Sequence, residues 1–250
     1  MFAIVSDIHG NLEALQAVML DVQKRNIPKI VCLGDIVGYG PDPRDCMDLI
    51  CERADTTIMG NHDFATLFEP RNFNYGAERA CFWTRSTFED DPDHERRNRR
   101  WEFIGRLKVR NEENGFLCLH GSPRRPINEY IFPDDIYANP NKMVSLFDRI
   151  TGLCFVGHTH VPGVFLPDPD FYAPDELEDH FPYDVSTRAI INVGSVGQPR
   201  DRDPRSSYVI VEKDEIRFIR IEYDINTTAK KIYAIPELDD FEGNRLFDGR

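Results

Sequence analysis

Asp7 and His9 stand one residue apart, Asp35 follows a glycine, and Asn61, His62 and Asp63 are consecutive. Farther on, His120 precedes Gly121, and His158 and His160 are again separated by one residue. Carboxylate, imidazole and amide oxygen together are a ligand set that suits Mn, Fe, Zn and related divalent ions. Asp7 and His9 can approach one ion together, Asp35 can offer its two oxygens to two ions, and Asn61 supplies an oxygen without adding charge. The neighbouring glycines permit the sharp turns and close backbone approach that a compact ligand cluster needs. Of the seven histidines, only His94 and His180 lie outside these clusters. One D-x-H or H-x-H alone is most often a solvated loop; the weight lies in the recurrence of the pattern.

Each cluster follows a short apolar run: Phe2–Val5, Ile30–Leu33, Thr57–Met59, Phe116–Leu119 and Leu153–Val156, with a further run over Ala189–Val193. Continuous β-branched runs of this length predict strands buried on both faces. Residues just past the C-terminal ends of parallel strands converge, and α/β proteins bind ligands there. Tyr208–Val211 and Ile216–Ile221, separated by Lys213-Asp214-Glu215, predict a hairpin. Asn11 can cap a helix carrying Leu12, Leu15, Val18 and Val22, and a second helix follows Pro43. Met143, Leu146, Phe147 and Ile150 have the spacing of one helix face. The stretch Ala77–Val109 predicts two helices around a charged break at Glu89–Arg100. The acidic, proline-rich segment 166–188 predicts a long surface loop, and the tail from Pro236 is weakly patterned. The alternation of strand and helix predicts one α/β domain over residues 1–250 with parallel pairing, segment 64–115 being a helical insertion or cap.

At 250 residues, 41% of them hydrophobic, the chain can bury a sizeable core. A net charge of −13 argues against a broad basic surface for nucleic acid, whereas bound cations can still create a local phosphate site. The six cysteines form no C-x-x-C pair and predict free thiols in a reducing compartment. The N-terminal sequence has no signal-peptide pattern and no segment approaches about 20 apolar residues, so the expectation is a cytoplasmic chain without a membrane span.

The ordered set Asp7-Ile8-His9, Gly34-Asp35, Gly60-Asn61-His62-Asp63, His120-Gly121 and Gly157-His158-Thr159-His160 resembles the calcineurin-like metallophosphoesterase superfamily, with no departure at these positions. Ser6–Leu15, Gly34–Pro41, His120–Pro123 and Asn192–Asp201 look like one bacterial and archaeal single-domain branch of it. The resemblance implies a metallo-dependent phosphatase-like fold, a four-layer α/β/β/α sandwich with two central mixed β-sheets and two metals at one edge. It implies one metal on Asp7, His9, Asp35 and His160, and another on Asp35, Asn61, His120 and His158, with Asp35 and a water or hydroxide bridging. Manganese is the first expectation for both ions; Fe, Zn, Ni, Co and Mg have compatible chemistry.

The implied reaction is hydrolysis of phosphate esters, small phosphodiesters or nucleotides, by a metal-activated hydroxide. Two ions about 3.5–4 Å apart clamp the attacking and leaving oxygens and lower the pKa of water to about 7, so no protein nucleophile is required. By the resemblance, the catalytic pair is His62, which stabilises the transition state or protonates the leaving oxygen, and Asp63, which can orient the His62 ring. Alternatively, His62 only buttresses Asn61. Arg124 and Arg125 after His120, and Arg200, Arg202 and Arg205 after Asn192–Ser195, are candidate phosphate-binding residues, or solvated partners of acidic neighbours. Ser122 and Ser195 lie in no G-x-S-x-G elbow, and Gly38–Pro41 has no GK[ST], so serine hydrolysis and a P-loop are unsupported. Two other readings use the same ligands: a catalytically silent metal-binding scaffold, and a protein phosphatase. The sequence leaves the oligomeric state open.

Overall fold

The computed structural model describes residues 1–168 and 170–250; Pro169, within the acidic segment, lies outside the described residues. The chain runs β1 (Phe2–Val5), α1 (Leu12–Lys24), β2 (Ile30–Cys32), α2 (Pro43–Arg53), β3 (Thr56–Thr57), α3 (Asn61–Leu67), α4 (Tyr75–Glu89) and α5 (His94–Arg106). It continues through β4 (Arg110–Glu113), β5 (Phe116–Leu119), α6 (Asp135–Ala138), α7 (Pro140–Phe147), β6 (Leu153–Val156), β7 (Gly163–Leu166) and β8 (Asp170–Tyr172). The last part holds β9 (His180–Pro182), β10 (Ala189–Asn192), β11 (Ser206–Val211), β12 (Glu215–Ile221), α8 (Ile225–Tyr233) and α9 (Asp240–Asn244).

The strands form two six-stranded sheets, ordered β3-β2-β1-β11-β12-β9 and β4-β5-β6-β10-β7-β8. Pairing is parallel across the strand–helix–strand connections, β1 with β2, β2 with β3 and β5 with β6, and also between β6 and β10, which β7, β8 and β9 separate in sequence. The remaining pairs are antiparallel, so both sheets are mixed. The predicted hairpin is β11–β12, in register at Val211 and Ile216.

Strand period 2 divides each strand between two apolar layers. In β1, Ala3 and Val5 face α1 and α2, packing with Leu15, Val18, Cys46 and Ile50, while Phe2 and Ile4 face the other sheet. Between the sheets, Ile4, Val31 and Val209 meet Phe155, Val164 and Ile191. On the far side, Cys154, Val156 and Ile190 meet Met143, Leu146 and Phe147 of α7. Three apolar layers separate four structural ones, the α/β/β/α order that the motif resemblance implies. Each such side chain contributes about 1.5–3 kcal/mol on full burial, so strand alternation alone fixes which sheet face meets which layer.

Three segments depart from expectation. The acidic segment 166–188 is not a structureless loop: it supplies β8 to the edge of one sheet, a 3₁₀ turn over Pro174–Leu177, and β9 to the edge of the other. Its strands have three residues each and carry acidic or proline residues, as edge strands do. The charged run Glu89–Arg100 breaks only briefly, because Asp93 caps α5 by accepting from Glu95 and Arg96 N–H. Within it the buried Arg100 pairs with Asp48 and Asp91, so these charges join helices rather than separate them. The tail from Pro236 forms α9 and a 3₁₀ turn over Arg245–Phe247, with Leu238 and Leu246 packed on Ile232 of α8 and Ala80 of α4. All six cysteines are free thiols, and among the described residues no helix is long and apolar enough to cross a membrane.

Candidate metal centre

The parallel strands β1, β2, β5 and β6 point their C-terminal ends to one edge, and the turn after β3 joins them there. Asp7, His9, Asp35, Asn61, His120, His158 and His160 all lie at this edge, and all are buried. Turning seven side chains inward from short connections forces the backbone. Asp7, His9, Asp35, His158 and His160 have φ of 54°, 49°, 52°, 68° and 61°. Left-handed conformations cost non-glycine residues on the order of 1 kcal/mol each and cluster at functional sites. Glycine is needed where turns meet: a Cβ on Gly34, itself at φ +95°, would sit 2.3 Å from Gly60 N.

The side chains gather into two linked groups. In the first, His160 Nε2 is 3.2 Å from Asp7 Oδ1, and His9 Nε2 is 3.1 Å from His160 Nε2. In the second, His120 Nε2 lies 3.3 Å from Asp35 Oδ2, 3.1 Å from Asn61 Oδ1 and 3.2 Å from His158 Nδ1. Asp35 Oδ2 is also 3.7 Å from His9 Nε2, so one oxygen faces both groups. Asp35 Oδ1 instead accepts from His62 N–H at 2.8 Å, at the start of α3. Of the two Asp35 oxygens, Oδ2 thus faces both groups, while Oδ1 is held at the start of α3.

Hydrogen bonds behind the cluster set the tautomers. His9 Nδ1 donates to Val37 O at 3.2 Å, His120 Nδ1 to Leu33 O at 3.0 Å, and His160 Nδ1 to Gln198 O at 2.6 Å. Each bond puts a proton on Nδ1; in His9 and His160 this leaves Nε2 as a lone pair aimed inward, whereas His120 carries a second proton on Nε2, toward Asp35. His9 and His160 then face each other lone pair to lone pair, an arrangement that a cation between them relieves. Asp7 Oδ1 is buried with no hydrogen-bond partner, while its Oδ2 accepts from His158 N–H at 3.0 Å. A buried, unpartnered carboxylate oxygen is costly unless a cation meets it. The donor set thus fits divalent metal on two independent grounds.

The charge balance agrees. Burial works against a charged His120, but the carboxylates of Asp35 and Asp7 overcome it and push its pKa up to about 9. Burial takes His9 well below its ordinary value, His62 down to about 4 and His158 down to about 3, and it also lowers His160. Of the cluster's imidazoles, only His120 holds an extra proton at neutral pH, and it supplies the positive charge between Asp7 and Asp35. Although burial opposes ionisation, imidazole neighbours hold the Asp7 and Asp35 carboxyls below the usual carboxylate range. One proton beside two carboxylates is the charge that cations replace.

The remaining predicted residues divide. His62 joins the cluster: it lies edge-on to His9 with centroids 4.8 Å apart, also packs against Tyr39 and Phe73, and its Nδ1 is 3.7 Å from Cys81 Sγ. Asp63 does not orient it. Both Asp63 oxygens are taken by backbone N–H groups, Oδ2 by Asp35 (2.8 Å) and Gly60 (3.0 Å), Oδ1 by Ile36 (3.0 Å). It clamps the turn that carries Asp35 to the start of α3. Arg124 is turned to Glu129, which also accepts from Ser122 Oγ at 2.5 Å. Arg125 is exposed, and its backbone alone is bonded, its N–H to Ser122 Oγ and its carbonyl to Ser122 N–H. Arg202 is exposed, and Arg205 pairs with Asp203. Arg200 alone of these arginines reaches the cluster: its guanidinium lies 5.8 Å over the Tyr39 ring, and its buried Nε has no partner.

Sequence reasoning missed the residues that support Arg200. Its Nη2 donates to Gln198 Oε1 at 2.6 Å, and Gln198 Nε2 donates to the buried Glu242 of α9 at 2.8 Å. Glu242 and Gln198 share with His9 and Tyr39 a cavity of about 10 Å³, room for one water. Of these, Tyr39 and Gln198 lie in the motif stretches already singled out, whereas Glu242 lies in an unpatterned tail and had no local signal.

Comparison with known proteins places this geometry in context. Residues 1–162 match the family described as calcineurin-like phosphoesterase. An uncharacterized protein of Methanocaldococcus jannaschii is 38% identical, over 100% of this chain and 98% of its own length. The crystal structure of a metallophosphoesterase from Sphaerobacter thermophilus superposes with a TM-score of 0.82 at 37% identity, covering 100% of this chain and 98% of that one. A hypothetical protein from Pyrococcus horikoshii shares the fold at a TM-score of 0.75 and 19% identity, with the same coverage of both chains.

Proposed function

We propose, from the premise that this chain belongs to the calcineurin-like phosphoesterase family, that it hydrolyses small phosphate esters, phosphodiesters or nucleotides, with two divalent cations. Asp7, His9, Asp35 and His160 would hold one, and Asp35, Asn61, His120 and His158 the other, manganese being the first candidate for both. When bound, such a pair supplies Lewis acidity toward phosphoryl oxygens and lowers the pKa of water from 15.7 to about 7. The observation that carries this reading is the inward lone pairs of His9 and His160 beside the unpartnered Oδ1 of Asp7.

The chain's own residues bind and orient. Neutral His62, at the cluster's edge, donates a hydrogen bond to a phosphoryl or leaving oxygen. Arg200, with an unpartnered N–H, forks onto a non-reacting phosphate oxygen. Tyr39 walls the crevice between them and excludes water from the Arg200 side. The ligand tautomers are fixed before substrate arrives, so little reorganisation is needed as charge develops.

The test is hydrolysis of bis-p-nitrophenyl and p-nitrophenyl phosphates by the manganese-loaded chain, repeated with chelator. Turnover that chelator abolishes and manganese restores supports the reading. A chain holding two ions per molecule but inert toward every phosphoester would be a silent scaffold, and the proposal would fail.

A further inference from the structure

The loop from Glu129 to Phe132 carries two large aromatic side chains beside the metal centre that the reaction itself does not require. Tyr130 lies flat on the His158 ring, with centroids 3.8 Å apart and planes 7° from parallel. Phe132 stacks on Tyr130 in turn, at 5.2 Å and 17°. Despite these contacts Tyr130 is 41% and Phe132 47% exposed, so each keeps much of its surface open to solvent.

The stack is built, not incidental. Ile131, between the two rings, is buried against Leu146 and Phe147, so the strand-like alternation drives its neighbours outward together. Asp135, itself buried, accepts from Phe132 N–H at 2.8 Å, from Asn139 Nδ2 at 2.8 Å and from Lys142 Nζ at 2.5 Å. Lys142 also donates to Tyr130 O at 2.7 Å. On the other side Glu129 is held by Ser122 and Arg124, both just past the ligand His120. A loop pinned at both ends spends its one buried position on Ile131 and leaves two rigid rings facing water. Aromatic rings lose little side-chain entropy on binding a flat partner.

We propose that Tyr130 and Phe132 form a stacking platform for a nucleobase, and hence that nucleotides are the substrate class of this centre. The inference rests on the phosphoester reading above and narrows it. The platform begins on a candidate metal ligand, so a phosphate at the centre and a base on the rings belong to one molecule. Stacking is tolerant of base identity because every base offers a π-face.

The test is competition at initial rates: the manganese-loaded full chain hydrolyses bis-p-nitrophenyl phosphate, and the affinity of each competing phosphate is read as its inhibition constant. AMP is compared with ribose 5-phosphate, which carries the same phosphate and sugar without a base. AMP binds at least tenfold more tightly in the native chain. Phe132→Ala brings that ratio below threefold, and Tyr130→Phe, which keeps the ring, preserves it. Metal content and thermal unfolding confirm that each variant is folded and loaded. Equal affinities in the native chain, a ratio that survives Phe132→Ala, or no binding of either ligand overturns the platform. If ribose 5-phosphate binds and bis-p-nitrophenyl phosphate is hydrolysed while the ratio is one, the phosphoester reading stands and only the nucleotide assignment falls.

Discussion

The His62 ring touches His9, Tyr39 and Phe73, and one of its nitrogens lies within 4.8 Å of ligand atoms of His9 and Asp35, but it is not among the seven residues proposed to hold the cations. His62→Ala is therefore expected to retain two manganese ions per chain while kcat falls about 10²–10⁴-fold, the usual contribution of a positioned proton donor; metal analysis beside steady-state kinetics checks both halves. Asp63 behaves differently although it is the next residue. Its carboxylate satisfies three buried N–H groups, and each one left unpaired costs about 1–3 kcal/mol. Asp63→Ala should thus lower the unfolding free energy by about 3 kcal/mol or more, read from urea titration, and lower metal content with it. Loss of kcat at full metal content and full stability would instead return Asp63 to a role through His62. The seven candidate ligands were legible because their chemistry is local: each sits within four residues of a strand end, and the glycines beside them mark the turns. The direction of the Asp63 carboxylate was not, since a carboxylate next to a histidine reads the same whether it meets a ring or a backbone.

Elements far from the cluster tune it through single bonds. α9 reaches the centre by Glu242, through Gln198 to Arg200 and, by the Gln198 carbonyl, to His160. Glu242→Ala should raise KM for a phosphodiester about tenfold, the size of one lost charge-assisted bond, with kcat changed less. Glu242→Gln, which keeps an acceptor for Gln198, should restore most of it. The loop of Tyr130 and Phe132 depends likewise on Asp135. Burial opposes ionisation there, but Lys142, Phe132 N–H and Asn139 hold this carboxyl below its ordinary 3.8. A depressed folded value means stability that is present above the unfolded pKa and lost as pH falls through the folded one. The AMP-to-ribose 5-phosphate affinity ratio should therefore stay constant from pH 8 to 5 and fail only in stronger acid. Strands with continuous apolar runs were readable because burial on two faces demands them. The edge strands β8 and β9 were not, because an edge is protected by the charge and proline that elsewhere signal a loop. α5 was obscured for a related reason: its buried Arg100 needs partners, Asp48 and Asp91, that only the folded chain supplies.

At the scale of the whole molecule, the centre closes a −13 chain around buried carboxylates, so bound cations should contribute to stability as well as to reaction. A ligand present at a hundred times its Kd stabilises by about 2.7 kcal/mol, which for a chain of this size is roughly 5–10 °C in Tm. Calorimetric scans with manganese and with chelator should differ by that much, and a scan indifferent to chelator would contradict the two-cation reading. The sheet order carries one more consequence. β1 lies between β2 and β11, with Phe2 opposite Val211, and Val196 and Gly197 donate to Ser6 and Asp7 carbonyls. At about 5–20 residues per second, a ribosome keeps the first strand waiting on the order of ten to forty seconds for its partner. For most of that interval, until residue 160 is made, Asp7 and His9 have no His160 to meet. Loading with the proposed cations is then a step that follows synthesis of the whole site, and chains made without metal are expected to take it up when it is added after release.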